Sequence, residues 1–503
     1  MRALRGRADT PVKVFVGLGA AGLAVFALAS ALGTERMPAG PFGLWAVWRG
    51  GVGHRATELA ATSRMLGVVV LIGAWFALRY QPRRVQGWTL VVWSLVLLAI
   101  PPGRGDVYNY VEQGWLVLQG LDPTLVASGS VPGPYASWGG AWTGTTVAYP
   151  PVGLALQALV VWVSMGHAWL ALVLMRVLCA AAVMAIWWLL PRVADLFGVS
   201  RQQAGWVVAL NPMIWVHGVA GVHLDLVAVA LAAAALWVVA PVVAGLGAAE
   251  RRGITSSAAL RGVVALVLAL LAVGVKPPVA LLLCCLVPLT MSRATIAQGA
   301  PWRQRQLAEA VGCALVVAGL VGAVAVLSRL SPFGAHWTQA TGDPAWASSS
   351  LWSTFADVAP RAGVRLATLF EALAPQALVW CSVAAVLVLL VAVLTVRLPD
   401  AAMIGALTLL MVCTIGPAGR PWYLLPAVLG LGLVRWDVTR QAVVTVLVLV
   451  AFSGEMFGTM SYLGRQTWSW GLALCLAVAA WSIRASVPGR ARLNDATSEG
   501  VSS

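Results

Sequence analysis

The sequence predicts an all-α polytopic membrane protein. Of its 503 residues, 60% are hydrophobic and 10% are charged, and the mean hydropathy is +0.86. A soluble globular domain carries about 25% charged residues, so the composition excludes that class. Apolar stretches close to the length of a membrane-spanning helix recur along the chain, and arginines are concentrated in alternate loops between them.

A membrane span needs about 20 predominantly apolar residues, and by this measure we expect about 14 transmembrane helices. They form a single transmembrane domain over residues 1–483. A polar tail over 484–503 is expected to be disordered and cytoplasmic. The candidate spans are 11–32, 64–80, 87–101, 169–190, 203–222, 225–243, 261–275, 278–291, 306–328, 376–396, 399–416, 422–435, 441–460 and 469–483.

The arginines orient the chain. Only two of the 33 basic residues are lysines, Lys13 and Lys276, and the arginines cluster on the side of the membrane that holds the basic N-terminus. The positive-inside rule makes this side cytoplasmic, so both termini face the cytoplasm of a multi-pass plasma-membrane protein. The net charge of +15 is then directed at anionic membrane lipids, and no nucleic-acid partner is implied.

This orientation requires that the apolar stretch 147–165 does not cross the membrane completely. We interpret it as an interfacial or re-entrant helix within an outer loop. The alternative is a true span that leaves one loop in violation of the charge rule. With the first interpretation, polar residues collect on the outer face, which implies a site there.

Asp106 follows an apolar run and the turn Pro101-Pro102-Gly103. A carboxylate at a membrane boundary is costly unless it faces water or a partner, so it is a candidate catalytic residue. In a helix, Asp106, Asn109 and Tyr110 would share one face. Asp106 could act as a general base toward a substrate hydroxyl, with Glu112 and Asp225 as the competing candidates. A helix-capping role is the alternative.

Lys276 ends an apolar run and precedes Pro277-Pro278, which break the helix. A single ammonium at the interface suits a phosphate group. Alternatively, the side chain only marks the membrane boundary.

A second pair of polar residues, His223 and Asp225, lies at the outer end of a span. A metal site is conceivable from these types, but no further ligands occur at suitable spacing, so we predict no metal. Hydrogen bonding to a polar substrate is preferred, with structural packing as the alternative.

Two arginines are further candidates for binding a phosphate. Arg176 lies within a span and is expected to extend outward to a lipid phosphate, with an internal salt bridge as the alternative. Arg420 lies at the outer surface and could supply another cation. Outer aromatic residues such as Tyr149 either anchor the chain at the interface or stack on sugar rings.

Several of these residues belong to short motifs that follow one another along the chain. The motifs are Gly105-Asp106-Val107-Tyr108-Asn109-Tyr110, Gly120-Leu121-Asp122-Pro123, Tyr149-Pro150-Pro151, Asn211-Pro212, His223-Leu224-Asp225, Val275-Lys276-Pro277-Pro278 and Pro421-Trp422-Tyr423-Leu424-Leu425-Pro426. Their order resembles that of the actinobacterial polyprenol-phosphate-mannose-dependent α-1,6-mannosyltransferases, which are GT-C-type enzymes of lipomannan synthesis. The resemblance covers roughly residues 100–435, and Leu224 departs from the pattern, in which we expect Asn.

The resemblance implies a GT-C-like helical bundle with interfacial helices in its outer loops. It implies an inverting transfer of mannose from a polyprenyl-phosphate-mannose donor to a lipid-anchored mannoside acceptor, without a cofactor. Asp106 would be the base, while Lys276, Arg420 and Arg176 would bind the donor phosphate. The residues expected to contact sugar or acceptor are Tyr110, Glu112, His223, Asp225 and Tyr149.

Two other functions stay open. One is a related transferase that uses another lipid-phosphate sugar, such as arabinose, or that makes an α-1,2 linkage. The other is a lipid or sugar transporter. Transporters usually have repeated halves and a site near the membrane midplane, whereas this chain has no clear internal repeat.

Overall fold

The computed structural model describes the N-terminal half of the chain and a short segment near residue 426. The described residues are 2–32, 37–48, 54–103, 105–136, 138, 143–147, 149–196, 198–249, 256–280, 282–283, most of 318–338, and 420–433. Every regular element within these ranges is helical, as the composition predicts. The predicted spans 376–396, 399–416, 441–460 and 469–483, and the tail, lie outside them.

The longer helices follow the apolar stretches of the sequence. They are α1 (Arg2–Ala31), α2 (His54–Ala77), α3 (Arg83–Ala99), α4 (Asp106–Leu118), α5 (Pro151–Val163), α6 (Ala168–Leu196), α7 (Arg201–Val208), α8 (Asp225–Ala249), α9 (Ser256–Val275) and α10 (Leu425–Gly432). Short 3-10 segments cover Pro41–Trp48, Ser128–Ser130, His336–Thr338 and Pro421–Leu424, and a π-helix covers Ile214–Ala220.

Within the described residues, three helices are long and apolar enough to cross a membrane: Pro11–Ala31, Glu58–Ala77 and Ala168–Asp195. A fourth crossing is possible if the bent pair Ile214–Ala220 and Asp225–Val239 counts as one span. These crossings agree with a polytopic membrane protein.

The predicted continuous span 203–222 is wrong. The chain forms α7, turns at Asn211-Pro212, and continues as the π-helix Ile214–Ala220. Proline lacks a backbone N–H and cannot continue the helical hydrogen bonding. Asn211 caps the start of the helical segment that follows, because its Oδ1 accepts a hydrogen bond from the Met213 N–H at 2.9 Å.

A sharper bend follows at residues 221–224, where the π-helix meets α8 at 111°. Val222 has φ of 57° there. This left-handed conformation is unfavourable for a β-branched residue and persists only where the surroundings enforce it. The bend separates His223 from the helices on either side and directs it into the interior.

Helix α5 has 13 residues, and at 1.5 Å per residue it is only about 20 Å long, too short to cross a bilayer. Its length fits the interfacial or re-entrant helix predicted for 147–165. Helix α4 packs closely on it: a Cβ added at Gly114 would lie 2.5 Å from the Gln157 carbonyl oxygen. Glycine therefore lets α4, which begins with Asp106, approach the neighbouring helix.

Candidate functional site

The site begins where α4 begins. Asp106 is the first residue of this helix, as the sequence motif suggests, and follows Gly105 in extended conformation. Its side chain retains 18% exposure, whereas most residues of α4 are buried. A carboxylate at a helix N-terminus is stabilised by the helix dipole. The position combines fixed geometry with access for a substrate.

His223 lies beside Asp106. Its Nδ1 is 3.6 Å from Asp106 Oδ2 and 3.5 Å from the Tyr110 hydroxyl. The imidazole stacks on the Trp422 ring with centroids 4.2 Å apart and 12° between the planes. The backbone carbonyl of His223 accepts a hydrogen bond from the Cys179 thiol at 3.6 Å. Contacts on several sides therefore hold the imidazole in place.

Lys276 follows the end of α9, where its N–H still bonds the Ala272 carbonyl before the two prolines. Its ammonium donates to the Tyr149 hydroxyl at 3.1 Å and lies 3.9 Å from Asp225 Oδ2. The Tyr149 and Tyr423 ring centroids are 4.3 and 4.9 Å away. Aromatic faces and a carboxylate thus stabilise a buried cation.

A pair of tyrosines connects the lysine with the histidine. The hydroxyls of Tyr110 and Tyr149 are 2.7 Å apart, and the two rings meet edge to face. Tyr110 comes from α4 and Tyr149 from the segment before α5. The polar side chains of four separate chain segments therefore form one contiguous cluster.

The charge states follow from burial and from neighbouring charges. Burial lowers the pKa of Lys276, but the Asp225 carboxylate and then Tyr149 and Tyr423 more than compensate, so the pKa is raised well above its usual value. For His223, burial and then the positive charges of its surroundings hold the pKa well below its usual value. At neutral pH, Lys276 is an ammonium and His223 is a neutral imidazole. The His223–Asp106 contact is therefore not an ion pair.

Arg420 approaches the cluster from the start of the segment that leads to α10. It is 2% exposed, and its guanidinium carbon lies 5.6 Å from the centroid of the Trp422 ring. Together with Lys276 it is one of the charges that lower the pKa of His223. Two of the three predicted phosphate-binding cations thus lie close enough to His223 to affect its pKa.

The sequence profile described as "Alpha-(1->6)-mannopyranosyltransferase, N-terminal domain" matches residues 16–293, more than half of the chain. The chain belongs to this glycosyltransferase family. It is therefore an enzyme, as the motifs predict, and the matched range contains every site residue described above except those of the segment from Arg420 onward.

Individual relatives agree with the family assignment. The chain is 27% identical to Alpha-(1->6)-mannopyranosyltransferase A of Mycobacterium tuberculosis over 452 residues, covering 86% of this chain and 82% of that protein. It is 28% identical to the protein of the same name from Corynebacterium glutamicum, over 39% of this chain and 46% of that protein. A probable alpha-(1->6)-mannopyranosyltransferase of Mycolicibacterium smegmatis is 29% identical over 34% of this chain and 32% of its own length. No solved structure is significantly similar.

In this glycosyltransferase, most predicted site residues lie together, but Arg176 differs from the expectation. Its guanidinium is 2% exposed and is directed into the protein, not outward. It donates to the carbonyls of Leu97 and Ile100 at the end of α3, and to that of Ala220 at the end of the π-helix. Helix ends leave carbonyls without partners within the helix, so this arginine joins the two helix ends that lead to Asp106 and His223.

We expect Arg176→Met to lower the unfolding midpoint of the purified protein, since up to three buried carbonyls lose a charged donor. The loss is about 3 kcal/mol or more in the free energy of unfolding. The donor KM of the folded fraction should change less than about twofold. Arg192→Met, on the same helix but exposed, is the control. A large rise in donor KM at unchanged thermal stability would instead favour the phosphate-binding role.

Glu112 is also buried, at 1% exposure, and lies six residues after Asp106 on α4. At 100° per residue it is turned about 120° away from Asp106 around the helix axis. The other competing carboxylate, Asp225, is 0% exposed and lies 3.9 Å from the Lys276 ammonium. Access to a substrate therefore favours Asp106 over both alternatives.

Trp422 and Tyr423 had no predicted role, although both belong to one of the sequence motifs. Their rings contact His223 and Lys276, respectively. The signal available in the sequence was their position two and three residues after Arg420. In the described ranges, no group of three His, Cys, Asp or Glu side chains could hold a metal ion.

Proposed function

We propose that this enzyme transfers mannose from a polyprenyl-phosphate-mannose donor to a lipid-anchored mannan acceptor, forming an α-1,6 linkage on the outer membrane face. Family membership and the names of the relatives support the mannosyl group and the linkage. The observation that carries the mechanism is the pairing of one accessible carboxylate, Asp106, with a buried ammonium, Lys276, through a continuous polar cluster.

In this mechanism Asp106 takes the proton from the acceptor hydroxyl as the oxygen attacks the anomeric carbon of the mannose. The bond from that carbon to the phosphate oxygen breaks in the same displacement, and a β-linked donor gives an α-linked product. Proton removal by a positioned base contributes about 10²–10⁴-fold.

The departing lipid phosphate is a good leaving group and needs cations more than an acid. Lys276 supplies a compact charge, and Arg420 supplies a second one. Asp225 is assigned as the counter-charge that keeps the ammonium in place before the donor binds. Because it is 0% exposed and 3.9 Å from Lys276, it can stabilise the cation without meeting the acceptor.

A membrane assay tests the reaction. Membranes containing the enzyme are given radiolabelled polyprenyl-phosphate mannose or arabinose and a synthetic α-1,6-mannoside, and the product linkage is determined. We expect mannose transfer with new α-1,6 bonds. Transfer of arabinose alone, an α-1,2 product, or donor movement without transfer would each contradict the proposal.

The outer-face location leads to a separate prediction. A cysteine introduced at Ser137, in a loop assigned to the outside, should react with an impermeant thiol reagent on intact cells. One introduced at Ser256, the first residue of α9, should react only after the membrane is opened. The reverse labelling pattern would overturn the topology and with it the outer location of the site.

A further inference from the structure

The hydrogen-bonding cluster has a direction that follows from which atoms can donate. The Lys276 ammonium has only donors, so the Tyr149 hydroxyl accepts its bond at 3.1 Å. In the described part of the chain, the acceptor within reach of the buried Tyr149 proton is the Tyr110 oxygen, at 2.7 Å. A buried hydroxyl proton without an acceptor is costly, so Tyr149 donates to Tyr110.

The direction of donation continues from Tyr110 to His223. The Tyr110 oxygen accepts from Tyr149, and its own proton has His223 Nδ1 as acceptor at 3.5 Å. This bond is long, but it requires Nδ1 to carry a lone pair. The ring proton of the neutral imidazole then resides on Nε2. The tautomer of His223 is thereby set by a lysine at the other end of the cluster.

We propose that Lys276, Tyr149 and Tyr110 form a one-way hydrogen-bond chain that fixes His223 as the Nε2–H tautomer, with an unprotonated Nδ1 beside Asp106, making His223 a positioning residue for the base. The assignment of Asp106 as the base rests on the proposed function, whereas the direction of the chain does not. The neutral state of His223, which burial favours through its lowered pKa, agrees with this arrangement.

The unprotonated Nδ1 of His223 affects catalysis after the proton has been transferred to Asp106. Before reaction, Nδ1 and the ionised Asp106 Oδ2 are both acceptors, and their 3.6 Å separation exceeds hydrogen-bond length. Nδ1 has a single lone pair, so once Asp106 has taken the proton of the acceptor hydroxyl, its O–H can donate to Nδ1 by replacing the long hydrogen bond from Tyr110. The imidazole therefore stabilises the protonated carboxyl, the product of the proton transfer, without itself becoming charged.

The chain also connects the two halves of the proposed reaction. One end is the ammonium assigned to the donor phosphate, and the other end is the imidazole beside the base. Tyr149 and Lys276 are 127 residues apart in sequence, and Tyr110 and His223 are 113 apart. The chain therefore exists only when α4, α9 and the 221–224 bend are correctly packed.

Nuclear magnetic resonance of the full-length protein in lipid nanodiscs, without substrate, tests the direction. The five histidines are labelled with ¹³C and ¹⁵N, and His223→Gln identifies the signal of His223. The ring shifts report which nitrogen carries the proton. We expect the Nε2–H form in the wild type. In both Tyr149→Phe and Tyr110→Phe, the Nδ1–H form should become populated. Tyr149→Phe leaves the Tyr110 oxygen free to accept from Nδ1–H, and Tyr110→Phe removes the hydroxyl that donates to Nδ1.

Tyr135→Phe is the control, since the Tyr135 hydroxyl bonds the Gly166 carbonyl at 3.4 Å, outside the chain. It should leave the His223 tautomer unchanged. An Nδ1–H form in the wild type overturns the proposal. This measurement needs no variant, so the proposal is tested even if a variant fails to fold. An unchanged tautomer in folded Tyr149→Phe and Tyr110→Phe overturns it as well.

Kinetics separate this inference from the proposed function. Tyr110→Phe should lower kcat by about three- to tenfold, the value of one hydrogen bond, with the donor KM nearly unchanged. A merely structural role would instead lower the amount of folded enzyme at constant kcat. If the tautomer is as expected but no mannose is transferred, the chain stands and the proposed function fails. If mannose is transferred by an enzyme with the Nδ1–H form, the proposed function stands and the hydrogen-bond chain fails.

Discussion

Asp106→Asn is expected to lower kcat by about 10²–10⁴-fold, equivalent to ~3–5 kcal/mol of activation free energy. The amide preserves the shape of the side chain but cannot accept the proton of the acceptor hydroxyl. Because the carboxylate acts mainly in the transition state, donor KM and the amount of folded protein should change little. Purified enzyme is assayed at saturating substrate, with Asp195→Asn as control.

The control removes a carboxylate that is 44% exposed and paired with Arg201. This carboxylate has no role in the proposed mechanism. Such a surface pair contributes at most about 1 kcal/mol to stability, and its loss should leave kcat unaffected. Retention of more than about a tenth of wild-type turnover by Asp106→Asn would reject Asp106 as the base. The role would then pass to Glu112 or Asp225, and Asp106 would be the first residue of α4 without a chemical task.

Lys276→Ala is expected to raise the donor KM by about ten- to a hundredfold, the value of a charge-assisted hydrogen bond to a phosphate. Lys276→Arg should rescue donor use only in part, because a planar guanidinium does not fit the space between the Tyr149 and Tyr423 rings as the ammonium does. Initial rates over a range of donor concentrations at fixed acceptor measure both effects. Lys13→Ala, an exposed lysine of α1, is the matched control.

The single substitution also leaves Asp225 buried without its counter-charge, which destabilises a protein by about 3–5 kcal/mol. The double variant Lys276→Ala with Asp225→Asn removes this complication. It should recover the unfolding midpoint but not the donor KM. Normal donor kinetics in either variant would show that Lys276 only marks the membrane boundary.

Much of the helical architecture was predictable because it depends on local properties of the chain. Apolar length predicted the crossings within α1, α2 and α6. The spacing of Asp106, Asn109 and Tyr110 was compatible with the helix α4 that the structure has. The span 203–222 was predicted wrongly, although Pro212 within it is a known helix breaker. The prediction used the length of the apolar stretch, and apolar composition does not show where a helix bends.

The charged side chains show where sequence reasoning ends. That Asp106, Lys276 and Arg176 deserve attention follows from the cost of placing ionised groups near a membrane. The same rule does not say which way Arg176 is directed. The carbonyls that hold it belong to Leu97 and Ala220, 79 and 44 residues away, and only the packing of α3, α6 and the π-helix brings them together.

The sequence by itself determined that the chain is a helical membrane protein and which residue types were available for its chemistry. It also contained the ordered motifs by which its glycosyltransferase family was predicted, later matched over residues 16–293. The tertiary structure decided that Asp106 is accessible whereas Asp225 is buried against Lys276, and that two tyrosines join this lysine to His223. The reason is physical: hydropathy and helix propensity act over a few turns, but hydrogen bonds require distances near 3 Å between residues more than a hundred positions apart, which helix packing alone sets.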